Sequence, residues 1–94
     1  MTIRWSAEAR DDVDRLADFV AAYDPHRASD VEYQLNQAPK KLMKFHRLGA
    51  RLSEFDPREV RELRVGRYLL RYELIGSEIR VLRFFHGRED RRPI

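Results

Sequence analysis

The chain has no cysteine, so it can build no disulfide, no thiolate metal site and no cysteine nucleophile. Its three histidines, His26, His46 and His86, are scattered without a ligand pattern, and neither a metal nor a cofactor is expected. There is no Gly-rich phosphate loop, no serine with His and Asp at a suggestive spacing, and no pair of catalytic carboxylates. No apolar run approaches the roughly 20 residues that a bilayer span requires, and "MTIRWSAEARDD" has no apolar leader-type segment. A soluble cytoplasmic protein with no membrane partner is therefore expected. Repeats and low-complexity tracts are also missing. With 94 residues there is room for one modest core, so a single domain over 1–94 is expected, without a deep cofactor pocket.

What the sequence does have is charge, unevenly placed. From Met1 to Ala38 four Arg face eight Asp and Glu, a balance of −4; from Pro39 to Ile94 fifteen Lys and Arg face eight acids, a balance of +7. A basic second half suits an acidic partner, either nucleic acid or an acidic protein segment, although a solvated charged surface gives the same count.

Periodicity divides the chain at about the same place. "TIRW" alternates and reads as a short strand. Ser6 is an N-cap residue, followed by Glu8, Asp11 and Asp12, where a helix N-terminus favours negative charge. Ala9, Val13, Leu16, Val20 and Tyr23 then step by three and four, which predicts a helix over 6–23. Asp24 and Pro25 restart the pattern as N-cap and first helical residue. Ala28, Val31, Leu35, Ala38, Leu42 and Phe45 follow, with Pro39 interrupting, so a second helix should run to about 38 with a looser continuation to 45. "HRLGARLSEFDPREV" reads as a connection with one short strand expected near 50–54 in it. Beyond it the period becomes two: "VRELRV", "RYLLRYELI" and "EIRVLRFF" are strands separated by Gly66 and by Gly76-Ser77. An α+β domain is expected, with an N-terminal strand, an antiparallel helix hairpin and then a three- to four-stranded antiparallel sheet carrying the hairpin on one face.

If Gly76 and Ser77 form the loop, Ile75 pairs with Glu78, and opposed residues share a face. One face then holds Leu74 with Ile79, Tyr72 with Val81, Leu70 with Arg83 and Tyr68 with Phe85. The other holds Glu73 with Arg80, Arg71 with Leu82, Leu69 with Phe84 and Arg67 with His86. Opposition of Glu73 and Arg80 favours this register. Leu69, Leu82 and Phe84 would form an apolar stripe bordered by Arg67, Arg71 and Arg80, open to a partner or covered by the C-terminal tail or by "TIRW". Arg83 on a core face must either pair with a helix carboxylate such as Asp12 or Asp14, or reach a cleft.

The order of strand, hairpin and meander, with "VRELRVGRYLLRYEL", "IRVLRFFHGRED" and "RLGARL", resembles the ParE/RelE toxin superfamily of bacterial toxin-antitoxin systems over nearly the whole chain. The resemblance implies a cognate antitoxin with an acidic or amphipathic C-terminal segment, received beside the hairpin and sheet edge; Arg67, Leu69, Arg71, Arg80, Leu82 and Phe84 are the expected antitoxin-binding residues. It implies operator DNA as a partner only through the antitoxin. RelE-like members cleave mRNA on the ribosome, whereas ParE-like members block DNA gyrase. The RelE-like pattern has arginine directly after the tyrosine of "Y-R-x-x-Y", where this chain has Leu69, and the last tyrosine here is Tyr72, so the "HGRED" tail looks more like the ParE branch. A gyrase inhibitor is the expectation, with Arg83, His86, Arg88 and Arg91 as its toxicity surface. The alternative is a ribosome-dependent endonuclease in which His86 is the base and Arg71, Arg83 and Arg88 stabilise the phosphate transition state. A third reading is an antitoxin-binding module without toxicity.

Overall fold

The computed structural model describes residues 1–89. Strand β1 (Thr2–Trp5) leads into helix α1 (Ala7–Ala21), and α2 (Pro25–Gln37) returns alongside it. A 3-10 segment, Ala38–Met43, continues α2 at the point where Pro39 removes a backbone donor. Strand β2 (Ala50–Arg51) precedes the meander of β3 (Glu59–Val65), β4 (Tyr68–Ile75) and β5 (Glu78–His86). The sheet order is β1-β5-β4-β3-β2, so four antiparallel strands are flanked by β1, which runs parallel to β5.

Both helix starts are capped as the sequence predicts. Ser6 Oγ accepts from the Ala9 N–H at 3.0 Å, and an Asp24 oxygen accepts from the Arg27 N–H at 3.1 Å. The three-four periodicity holds where the helices overlie the sheet: Ala9, Val13, Leu16 and Val20 meet Ala28, Val31, Leu35, Ala38 and Leu42 in one core with Leu70, Tyr72, Ile79, Val81 and Phe84. It fails at the ends. Tyr23 and Phe45, expected on the same apolar faces, are 68% and 56% exposed, because each follows the last turn of its helical segment, where the chain bends away from the sheet.

The β4–β5 register follows the expected pairing from Ile75 with Glu78 to Tyr72 with Val81, and then shifts by one residue. Leu82 is left out of the pairing, so Arg71 faces Arg83, Leu70 faces Phe84, Leu69 faces Phe85 and Tyr68 faces His86. A single extra residue moves every later side chain to the opposite face. Phe84, expected on the partner face, is fully buried in the helix-side core, where its ring lies 5.3 Å from that of Trp5. Arg83 is carried off the core face.

Helix α1 holds the bulge in place. β1 ends at Trp5, leaving the following backbone groups of β5 without a strand partner on that side. The Ser6 N–H donates to Val81 O, Ser6 Oγ donates to Leu82 O, and the Phe84 N–H donates to an Asp12 oxygen at 2.9 Å. The N-cap residue Ser6 and the α1 side chain Asp12 thus take over the hydrogen bonding that β1 leaves off.

Candidate functional site

The β3–β4 turn and the end of β5 lie at the same end of the sheet. Gly66 turns the chain with φ +61, a conformation that favours glycine, and only Val65 and Gly66 stand between Arg64 and Arg67. Pairing of Tyr68 with His86 brings this turn beside "HGRE". The result is an open cavity of about 450 Å³ lined by Arg64, Arg67, His86, Gly87 and Arg88. Among the described residues Arg64, Arg67 and Arg88 have no ion-pair partner, and all three are exposed.

The backbone around this cavity is tied down. The Gly87 N–H donates to Arg67 O at 2.9 Å, and the Arg88 N–H donates to His86 Nδ1 at 3.1 Å. The second contact leaves Nε2 as the protonated nitrogen of a neutral imidazole. Glu89 closes the turn: it accepts from the His86 N–H at 2.7 Å and pairs with Arg15 of α1. Tyr68 meets the His86 ring edge-on, with centroids 5.6 Å apart.

Of the expected toxicity residues, His86 and Arg88 share this cavity, while Arg83 does not line it. Arg83 forms a two-pronged pair with Asp12, Nε to Oδ2 at 2.7 Å and Nη2 to Oδ1 at 3.0 Å, and these bonds hold its pKa above the usual guanidinium value. Arg91 lies outside the described residues. Arg64, which sequence reasoning missed, joins them; the signal was its place just before a turn glycine at the sheet end where β5 finishes.

The second face of the sheet is closed by charged side chains rather than by an open apolar stripe. Leu69 and Leu82 are buried, as Phe84 is. Arg71 is buried as well, paired with Glu62 at 3.1 Å, with its guanidinium 5.1 Å from the Phe85 ring and 5.4 Å from that of Phe55. Arg83 lies 5.0 Å from the same Phe85 ring. Two arginines opposed on neighbouring strands would repel, but Glu62 and Asp12 neutralise them separately. Glu73 is held by Arg58 and Arg80 by Glu78, although Glu73 and Arg80 are cross-strand neighbours. Arg67, expected at the border of the stripe, belongs to the cationic cavity.

The apolar surface lies elsewhere. A groove of about 390 Å³ runs between α2 and β3, with Tyr33, Ala38, Leu48, Leu63 and Val65 contributing its apolar walls. Tyr33 and Leu48 are 69% and 50% exposed. β2 pairs with only Arg61 and Glu62, so beside this groove the outer edge of β3 from Leu63 to Val65 has no strand against it among the described residues.

Leu48 is positioned by both neighbours in the chain. The Gly49 N–H donates to the Tyr72 hydroxyl at 2.9 Å, and that hydroxyl donates to His46 O; burial pushes the Tyr72 phenol above its ordinary pKa. On the other side, Arg47 grips both oxygens of Glu59, at 2.8 and 3.1 Å, and Arg61 also donates to Glu59. Arg47 first, then Arg61, holds the Glu59 carboxyl below the ordinary glutamate range. A lowered folded-state value means stability that is present above the unfolded glutamate pKa and lost as pH falls through the folded one. Glu59→Gln should therefore lower stability to urea at neutral pH by about 0.5–1 kcal/mol, with the gap from the parent closing as pH falls below the ordinary glutamate range. An equal gap at both pH values would contradict this role for the charge.

Comparison with known proteins agrees with the architecture. A sequence model of the family described as "ParE toxin of type II toxin-antitoxin system, parDE" matches residues 3–91. No curated protein sequence matches the chain. A solved structure described as "Chromosomal ParDE TA system from P. aeruginosa" superposes with a TM-score of 0.77 at 24% sequence identity, over 92% of this chain and 95% of that one. At that identity the likeness establishes the fold.

Proposed function

Because the chain belongs to the ParE toxin family of type II toxin-antitoxin systems, we propose that it is a toxin that inhibits DNA gyrase by binding and is neutralised by an antitoxin seated in the α2–β3 groove. The observation that carries the choice of target is the engagement of Arg71 and Arg83. A ribosome-dependent nuclease would need them beside His86 and Arg88 at a scissile phosphate, yet each is spent on a carboxylate of this chain, Glu62 and Asp12. His86 and Arg88 remain with Arg64 and Arg67 in the cationic cavity, which is the toxicity surface in this reading.

The antitoxin assignment rests on shape and chemistry. An amphipathic segment could lay apolar side chains on Tyr33, Leu48, Leu63 and Val65, and its extended part could hydrogen-bond the open edge of β3. Acidic side chains would find Lys41 and Arg64 at the rim of the same groove.

The test is to add the purified protein separately to a gyrase supercoiling reaction and to ribosomes translating a defined mRNA. Supercoiling should be lost while the mRNA stays intact. Cleaved mRNA would instead favour the endonuclease, and inactivity in both reactions would leave an antitoxin-binding module. Addition of the product of a short reading frame directly upstream should restore supercoiling, and Leu48→Asp should weaken that rescue at least tenfold.

A further inference from the structure

Most arginines on this sheet are neutralised internally: Arg58 by Glu73, Arg61 by Glu59, Arg71 by Glu62, Arg80 by Glu78 and Arg83 by Asp12. Arg64, Arg67 and Arg88 are different, because they converge with His86 on one cavity and meet no carboxylate in an ion pair among the described residues. We infer that this cavity seats the phosphodiester backbone of duplex DNA, an inference that rests on reading the cationic end as the working face of the toxin.

The lining excludes the other polyanions on chemical grounds. It consists of arginine, histidine and glycine, with no apolar side chain to receive the aromatic or aliphatic anchor that centres a protein interface. The apolar counterpart on this molecule is the groove with Leu48, Leu63 and Val65. Single-stranded nucleic acid is held by stacking its bases on exposed aromatic rings. The ring beside this cavity, Tyr68, is buried and already meets His86 edge-on. What remains suited to three guanidiniums and an imidazole N–H is a row of phosphates whose bases stay stacked within the duplex.

The cavity is also organised before any ligand arrives. Gly87 is bonded to Arg67 O, the Arg88 N–H to His86 Nδ1, and Glu89 holds the turn to α1 through Arg15, so His86 Nδ1 is occupied and Nε2 is the ring nitrogen left to donate. The backbone of the turn needs little further ordering on binding, and the cost that remains is that of the three exposed arginine side chains. Contacts of this kind fix position and carry no base sequence, so they are separate from recognition of an operator.

The experiment is fluorescence anisotropy with a labelled random-sequence duplex of about 20 base pairs at about 50 mM salt, without gyrase. Neutralisation of about three to four phosphates predicts an affinity that falls with a log–log salt slope of about 3. Arg67→Glu/Arg88→Glu should reduce the slope by about 2 and weaken binding by on the order of 30-fold or more. Arg4→Glu/Lys40→Glu makes the same change in net charge outside the cavity and should cost less than about threefold. Circular dichroism of both variants should match the parent, since all four side chains are exposed. Salt-independent or undetectable binding by the parent, equal losses in the two variants, or equally effective competition by a polyglutamate peptide would each overturn the inference. Gyrase is absent from this mixture, so duplex binding alongside unimpaired supercoiling would retain the cavity's role and remove the gyrase reading alone.

Discussion

Replacing Asp12 by alanine is expected to lower the unfolding free energy by about 3 kcal/mol, or about 12–20 °C in Tm for a domain of this size. Asp12 lies in the second turn of α1 and is 4% exposed. Its two oxygens accept from Arg83 Nε at 2.7 Å, Arg83 Nη2 at 3.0 Å, the Phe84 N–H at 2.9 Å and Arg15 at 3.3 Å. Alanine would leave the Phe84 N–H buried without an acceptor, at a cost of roughly 1–3 kcal/mol. It would also leave the Arg83 guanidinium opposite Arg71 with its counter-charge gone. Arg83 keeps a quarter of its side-chain surface in water, which limits the electrostatic part and sets the total below that of a fully buried pair. Asp12→Asn should fall between alanine and the parent, because it retains an acceptor for Phe84 but no charge. Arg83→Leu should cost less than Asp12→Ala, and the double variant less than the sum of the two. Urea unfolding of the four proteins measures these differences; a loss under about 1 kcal/mol for Asp12→Ala would remove Asp12 as the anchor of the bulge.

Gly49→Ala is expected to cost a further distinct 2–3 kcal/mol or so, by crowding rather than by lost charge. A methyl group at Gly49 would stand 2.9 Å from the backbone carbon and oxygen of Glu62 and 2.9 Å from a ring carbon of Tyr72. Neither neighbour can yield easily. Glu62 is paired within the β3–β4 ladder, and the Tyr72 ring is fully buried, with its hydroxyl bonded to Gly49 and His46. The connection would have to lift off the sheet, taking Leu48 out of the groove wall. The variant should therefore lose stability in urea and also lose affinity for the antitoxin, whereas Leu48→Ala should lose affinity with little change in stability. A stable Gly49→Ala protein would mean that the connection is not seated as closely as described.

The helical half was legible because its signals are local. Ser6, Asp24 and Pro25 mark helix starts by chemistry that acts within one turn, and the series from Ala9 to Val20 and from Ala28 to Leu42 record which side of each helix is dry. The break at Pro39 follows from the missing donor. Where packing no longer backs the pattern, at Tyr23 and Phe45, the same periodicity misleads, because it continues past the end of the helix into residues with no sheet beneath them.

The site was only partly legible. His86 and Arg88 are near neighbours in the chain, so their charge stands out as a cluster, but Arg64 and Arg67 join them through strand pairing between distant parts of the chain. The apolar groove brings Tyr33, Leu48 and Leu63 together from three elements, and none of these residues stands out in its own segment.

The sequence by itself determined the order and type of the elements, the two capped helices, the hairpin at Gly76-Ser77 and the basic character of the second half, since each depends on spacing or composition over a few residues. Tertiary structure decided which face each side chain after Val81 occupies. An alternating strand reads the same with or without one unpaired residue, and the bulge at Leu82 is fixed by Ser6 and Asp12, more than seventy residues away in the chain. That one-residue shift buries Phe84 in the core, turns Arg83 to Asp12 and removes the apolar stripe, because side chains alternate with period two and a single insertion reverses them all.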